Sequence, residues 1–184
     1  PRRAERLPAG IWGPVMAIRR SRRPRSVRLE AGTATHTGRI RASNQDAVGM
    51  VDDLFVVADG MGGHRGGEVA AAEAVDVLMV GLERSDRAGL VAAVRAANRS
   101  ILERAAAEPD LSGMGTTLCA LAVVDSLTGD DALAVANIGD SRVYRFAAGH
   151  LDQVSDDHSQ GAQRGSHPRE VRLNGRPFQD RPVG

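Results

Sequence analysis

The 184-residue sequence contains no lysine, so all 24 of its basic residues are arginines. A Walker-type phosphate loop requires a lysine, and its absence excludes that class of nucleotide site. Cys119 is the single cysteine, which excludes a fold held by intramolecular disulfides and favours a reducing compartment. No apolar run approaches the roughly 18 residues that a membrane helix needs. These absences predict a cytoplasmic protein without a membrane segment.

Charge divides the chain into three parts. Residues 1–30 hold nine arginines and two glutamates, a balance of +7, whereas residues 31–160 hold ten arginines and 19 acidic residues, a balance of −9. Residues 161–184 return to +3, with five arginines and two acidic residues. The acidic body argues against nucleic acid as the main ligand and favours metal cations. Contact of the arginine-rich ends with nucleic acid or acidic lipids is the weaker alternative.

The two ends of the chain differ from its middle in amino-acid composition and in hydrophobic periodicity. Prolines interrupt any helical or alternating pattern near the start, and residues 1–26 are predicted to form a disordered basic tail. Residues 27–159 carry the patterns of a folded domain. Residues 160–184 are rich in Arg, Gly and Pro without an amphipathic period, which indicates a second disordered tail.

The middle of the chain begins with a strand, continues with two helices and ends with further strands, an order that predicts an α+β fold. The apolar run at residues 54–58 is typical of a strand buried on both faces, and the glycines at residues 60–67 indicate a turn. Helices are expected at residues 68–82 and 86–107. Three further strands are expected at residues 116–124, 132–138 and 142–146, with a hairpin turn at residues 126–131.

Asp59 and Gly60 stand at the end of the first strand, where a carboxylate and a closely approached backbone carbonyl could serve a hard cation such as Mg²⁺. The competing interpretation is that Asp59 caps the following helix. Arg41 could bind a phosphate through its guanidinium, and Asp46 could serve a metal directly or through water. The alternative for these two residues is an ordinary surface turn with an ion pair, which is the commoner case for an isolated arginine.

For three other residues, the sequence allows both a functional and a structural role. Asp140 lies in a Gly-Asp turn between two strands, which hairpin geometry alone would explain. His64 is a candidate general acid, although a solvated loop histidine is commoner. Cys119 lies inside an apolar strand, so a core position is favoured over a nucleophile.

Taken in order, four stretches resemble the bacterial metal-dependent serine/threonine protein phosphatases of type 2C. The stretches are G-R-I-R-A-S-N-Q-D at residues 38–46, F-V-V-A-D-G-M-G-G-H at residues 55–64, G-M-G-T-T-L at residues 113–118 and N-I-G-D-S-R at residues 137–142. The resemblance implies a four-layer α-β-β-α sandwich with two Mn²⁺ or Mg²⁺ ions at one end. It also implies hydrolysis of phosphoserine and phosphothreonine in proteins by a metal-activated water.

The resemblance assigns a role to each candidate residue. Asp59 would bridge the two metals, and the carbonyl of Gly60 would bind one of them. Asp46 would support a metal-bound water from outside the coordination sphere, and Asp140 would serve a third metal. Arg41 would hold the substrate phosphate. Met61 is a departure from the pattern, since eukaryotic relatives carry a histidine there. His64 is kept as a candidate general acid, although it stands three residues later.

The sequence departs from the family pattern after residue 159, where the family's second Asp-Gly motif and its Asp-Asn motif are missing. The fold is therefore expected to be truncated, and we expect a frameshifted or truncated gene product. The alternative function is a catalytically inactive chain, or a pseudophosphatase that binds phosphoproteins. The expected partners are phosphorylated proteins, namely Ser/Thr kinases and their substrates, and the folded chain is expected to be a monomer.

Overall fold

The computed structural model describes residues 29–40, 42–82, 85–125 and 131–157. Both predicted tails lie outside these residues, as does the predicted hairpin turn except for its last residue, Asp131, which begins a strand. In chain order the elements are β1 (Asp46–Val51), β2 (Leu54–Met61), α1 (Gly63–Gly81), α2 (Arg87–Ala107), a short 3-10 helix (Pro109–Leu111), β3 (Gly115–Thr116), β4 (Leu118–Asp125), β5 (Asp131–Ile138), β6 (Tyr144–Ala147) and β7 (His150–Gln153).

The main sheet is antiparallel, with strand order β1-β2-β4-β5 and with β3 pairing alongside β2. Strands β6 and β7 form a separate two-stranded sheet. Helix α1 packs against β1, β2 and α2. The α+β prediction is confirmed, and within the described residues the layers are one pair of helices on one main sheet. No described helix is long and apolar enough to cross a membrane.

Strand β2 is buried on one face only, so the predicted burial of both faces is wrong. Residues 54, 56, 58 and 60 are buried, whereas Val57 is 48% exposed and Asp59 and Met61 are exposed. The apolar run at residues 54–58 predicted burial of both faces because apolar side chains also occupy the face of β2 that points away from the helices. The largest fully buried side chains of the core are Leu54, Leu78, Leu90, Leu111, Val56 and Val123.

The predicted glycine-rich turn is also wrong, because strand and helix between them take up nearly all of it. Gly60 lies inside β2, and α1 begins at Gly63, five residues before the predicted start. Gly62 alone remains between them, in a left-handed conformation with φ of 115°. Glycine is a poor helix former, and here tertiary packing overrides that local preference.

That packing is a backbone contact between β2 and the first turns of α1. A Cβ atom at Gly67 would lie 2.8 Å from the carbonyl carbon of Gly60 and 2.9 Å from its oxygen. A Cβ atom at Gly60 would overlap the carbonyl group of Gly67. Both residues are buried, so neither backbone could move aside without opening the core.

The remaining elements follow the predictions with smaller differences. Helix α2 is confirmed, and the Asp86 side chain caps it by accepting from the N–H of Gly89 at 2.7 Å. The predicted strand at residues 116–124 is interrupted at Thr117, which separates β3 from β4. The strand predicted at residues 142–146 begins two residues later, at Tyr144. Strands β1 and β7 were not predicted.

We predict that Gly60→Ala will lower the free energy of unfolding by about 2 kcal/mol or more, because overpacking a rigid backbone contact cannot be relieved by a rotamer change. Urea unfolding followed by circular dichroism measures the difference. Gly81→Ala is the matched control, since its Cβ would lie 3.9 Å from the Cβ of Ala93, an ordinary contact. An alanine at position 60 that is as stable as the control would contradict the packing argument.

Candidate metal centre

Asp46 and Asp59 lie directly opposite each other on β1 and β2. The N–H of Gly60 donates to the carbonyl of Gln45 at 3.1 Å, which makes Gln45 and Gly60 a hydrogen-bonded pair of this antiparallel ladder. The next pair, Asp46 with Asp59, is therefore a non-hydrogen-bonded pair, the kind in which Cα atoms are about 4.5 Å apart and side chains are closest. Their side chains extend from the same face of the sheet.

Two exposed carboxylates in this arrangement suit a divalent cation. Like charges directly opposite on neighbouring strands repel each other, and a hard cation with oxygen ligands removes that repulsion. The backbone carbonyl of Gly60 adds a neutral oxygen donor of the kind such ions accept. The donor set thus fits one Mg²⁺ or Mn²⁺ ion. Within the described ranges no group of three or more His, Cys, Asp or Glu side chains is found, so those residues alone do not complete a site for two ions.

The structure tests the interpretation that Asp59 caps the following helix. The residue that caps α1 is Gly62, and no side chain makes a capping hydrogen bond there. Asp59 instead lies within β2, on the exposed face. The capping interpretation is therefore wrong.

Thr117 holds Asp59 from the side opposite Asp46. The N–H of Thr117 donates to the carbonyl of Asp59 at 2.9 Å, and the N–H of Asp59 donates to the Thr117 hydroxyl at 3.2 Å. The same hydroxyl lies 2.6 Å from the Ser141 hydroxyl. The Thr117 hydroxyl thus replaces a backbone acceptor for the N–H of Asp59. It also contacts Ser141, in the turn that contains Asp140.

The Gly-Asp sequence at Asp140 also fitted a tight hairpin turn, and the structure shows that the turn is not a hairpin. Strands β5 and β6 lie in different sheets and do not pair. Gly139 has φ of +92°, and a Cβ atom there would lie 2.9 Å from the Cγ2 of Thr117. The turn therefore packs against Thr117. Asp140 is exposed and does not form a group of three metal-ligating side chains with Asp46 and Asp59.

The two remaining predicted site residues are described in part or not at all. Arg41 lies outside the described residues. His64 is the second residue of α1, so its backbone is helical rather than part of a loop, and its side chain lies outside the description. Asn44, which was not among the predicted site residues, lies two residues before the start of β1. Its Oδ1 accepts from the N–H of Asp46 at 3.1 Å, and its Nδ2 donates to the Thr35 hydroxyl at 2.7 Å.

Arg142 is a further residue whose role the sequence did not reveal. Its Nη2 donates to Oδ2 of Asp157 at 2.6 Å, and its Nε lies 2.8 Å from the same oxygen. Hydrogen bonding to Asp157 raises the pKa of the guanidinium above its usual value. The Asn137 amide also donates to the carbonyl of Asp156 at 3.3 Å. These bonds join the segment after β7 to the turn that carries Asp140.

The predicted core position of Cys119 is wrong, because its side chain lies on the face of β4 away from the core cluster. It is half-buried, and its thiol donates to Oδ1 of Asn137 at 3.0 Å. Burial raises the pKa of the thiol to about 11. At pH 7 only about one thiol in ten thousand would be ionised, and the thiolate is the reactive form.

Alkylation of Cys119 by iodoacetamide is expected to be slow at neutral pH and to accelerate about tenfold for each pH unit between pH 7 and pH 10, because the rate follows the thiolate fraction. Mass spectrometry of quenched samples measures the rate. A rate that has already reached its plateau near pH 7 would show that the thiol is ionised and would contradict the burial argument.

Mn²⁺ at millimolar concentration is expected to raise the thermal unfolding midpoint by about 3 °C or more, because a ligand that binds only the folded state stabilises it. Asp46→Asn and Asp59→Asn each remove one carboxylate and should abolish most of this rise. Differential scanning calorimetry with and without Mn²⁺ measures it.

Asp52→Asn is the matched control, since Asp52 lies in the turn at the far end of the same hairpin and asparagine tolerates its φ of 46°. The control should keep the full rise. An equal loss in all three variants would mean that Mn²⁺ acts elsewhere on the acidic surface.

Comparison with known proteins gives a consistent picture. The family model described as protein phosphatase 2C matches residues 35–167. The serine/threonine protein phosphatase PstP of Mycobacterium tuberculosis is 42% identical over 134 residues, which is 70% of this chain and 25% of PstP. The serine/threonine phosphatase stp of Listeria monocytogenes is 35% identical over 144 residues, 71% of this chain and 55% of stp.

Solved structures agree with the sequence relatives. The phosphatase MsPP from Mycobacterium smegmatis, in complex with cacodylate, is 42% identical with a TM-score of 0.62, covering 71% of this chain and 54% of MsPP. The catalytic domain of PstP in complex with two manganese ions is 39% identical with a TM-score of 0.59, covering 67% and 54%. The chain thus spans about half of these solved domains. The chain belongs to the protein phosphatase 2C family.

Proposed function

We propose that this chain takes part in the metal-dependent hydrolysis of phosphoserine and phosphothreonine in proteins. The observation that carries the proposal is the placement of Asp46 directly opposite Asp59, with Gly60 next in the strand. Membership of the protein phosphatase 2C family supports the same chemistry. Mn²⁺ or Mg²⁺ is the proposed cofactor, and the PstP domain with two manganese ions supports this choice.

Asp59 and the carbonyl of Gly60 would be the direct ligands, and Asp46 would act through a water molecule. Asp140 would serve an additional ion. When bound, such ions activate water for attack on phosphorus and neutralise the phosphoryl oxygens. Asp59 is suited to this role because hydrogen bonds to β1 and to Thr117 fix the backbone on both sides of it, so that its carboxylate is held in place before substrate arrives.

Arg41 would bind the substrate phosphate with two parallel N–H donors, which no lysine could do. His64 would donate a proton to the leaving serine or threonine oxygen. The chain needs no protein nucleophile in this mechanism, and the raised pKa of Cys119 is consistent with that. Phosphorylated proteins are the proposed substrates, with Ser/Thr kinases and their targets among them. A monomer in the cytoplasm is the proposed state of the folded chain.

One observation favours a second function for the chain when it is on its own. In the described residues the carboxylates of Asp46 and Asp59 face each other without a third metal-ligating side chain in the group. Two carboxylates leave a pair of divalent ions short of negative charge, which lowers the affinity for the second ion. The alternative is a non-catalytic protein that binds phosphoproteins through Arg41.

Hydrolysis of a phosphothreonine peptide by the purified 184-residue chain tests the proposal. We expect Mn²⁺-dependent release of phosphate that falls at least about a hundredfold in Asp59→Ala, because that residue is the proposed bridging ligand. Arg41→Ala should raise KM more than it lowers kcat, and Arg39→Ala, two residues away, should change neither.

Phosphate release that persists without Mn²⁺, or in Asp59→Ala, would contradict the proposed chemistry. Folded protein that releases no phosphate but binds the phosphopeptide, and loses that binding in Arg41→Ala, would support the second function instead.

A further inference from the structure

We infer that Thr117 is a positioning residue that fixes the turn carrying Asp140 relative to Asp59, so that cation binding at the two carboxylates is coupled. The inference deepens the proposed function and depends on it for the identity of the ion. The linkage itself consists of contacts in this chain.

The Thr117 hydroxyl is the point where two separate parts of the fold meet. It accepts from the N–H of Asp59 at 3.2 Å and shares a hydrogen bond of 2.6 Å with the Ser141 hydroxyl. One oxygen therefore contacts the backbone of a central strand and the side chain of a turn that belongs to no sheet.

The backbone around Thr117 explains why its side chain is available for this role. The hydroxyl of Thr116 donates to the carbonyl of Thr117 at 2.9 Å, and the Thr117 hydroxyl is the acceptor for the N–H of Asp59. The regular ladder is interrupted at this residue, between β3 and β4. A residue without a γ-hydroxyl would leave the Asp59 amide without this acceptor.

The turn is held on Thr117 from both sides of Asp140. Ser141 contacts the hydroxyl, and Gly139 packs on the methyl group so closely that a Cβ atom there would lie 2.9 Å from Cγ2. Asp140, between these two contacts, cannot shift along the sheet without breaking one of them. Groups that orient metal ligands in this way affect metal affinity about ten- to a hundredfold when they are removed.

Amide hydrogen exchange of the full chain without metal tests the linkage. Thr117→Val removes the hydroxyl at nearly constant volume, and we expect exchange of the Asp59 amide to accelerate about tenfold, the effect of losing one net hydrogen bond. Ser141→Ala should accelerate exchange in the turn but leave the Asp59 amide protected. Thr117→Ser keeps the hydroxyl and should leave the Asp59 amide protected. Thr33→Val, at an exposed residue outside the sheet, is the matched control.

Mn²⁺ affinity, measured by electron paramagnetic resonance of the free ion, tests the coupling. Thr117→Val should weaken binding about tenfold, and Thr117→Ser, which keeps the hydroxyl but not the methyl group, should recover most of that loss. In an Asp140→Ala background the same valine substitution should have a much smaller effect, because the turn no longer carries a ligand. An equal loss in both backgrounds would overturn the coupling.

The two measurements separate this inference from the proposed function. Unchanged Asp59 exchange in Thr117→Val would overturn the linkage whatever the metal data show. A parent chain that binds no Mn²⁺ would overturn the metal function and the coupling together, while accelerated exchange would still support the linkage.

Discussion

Helix α1 packs on the sheet through a direct backbone contact, in which Gly67 of the helix lies against the peptide group of Gly60 in β2. Because no side chain separates them, the helix approaches β2 more closely than it could at any other residue type. That contact fixes the end of β2, and the end of β2 fixes Asp59. The same strand is hydrogen-bonded to its hairpin neighbour β1 on one side and to the distant β3 and β4 on the other, so Asp59 is held from both sides.

The chemistry of the site follows from that arrangement. Strand register places Asp46 opposite Asp59, and Thr117 completes the backbone hydrogen bonding of Asp59 from the other side. Two facing carboxylates on neighbouring strands repel each other in the chain without metal, and a bound cation removes that repulsion. Under the proposed function, the described residues would hold one ion, in a chain that spans about half the length of the solved domains it matches.

Local patterns in the sequence predicted the α+β class, helix α2 and the strand that leads to Asp59. They did not predict the start of α1, because glycines at residues 63, 66 and 67 disfavour a helix until the contact with Gly60 is known. Strand β1 was not predicted either, because pairing with β2, rather than an alternating hydrophobic pattern of its own, defines it. That pairing places Asp46 opposite Asp59. Thr117 stands in the G-M-G-T-T-L stretch, but its role depends on Ser141, 24 residues away, which no local pattern contains.

The central claim is that a divalent ion binds at the facing residues Asp46 and Asp59 on β1 and β2, with the Asp140 turn held on the other side of Asp59 through Thr117. Paramagnetic broadening of amide resonances by substoichiometric Mn²⁺ tests this most directly, because the effect falls off steeply with distance from the ion. We predict that the first amide signals lost are those of Asp46, Asp59 and Gly60, followed by those of the turn at Gly139–Ser141. Broadening that begins elsewhere, or that spreads evenly over the acidic surface, would contradict the account.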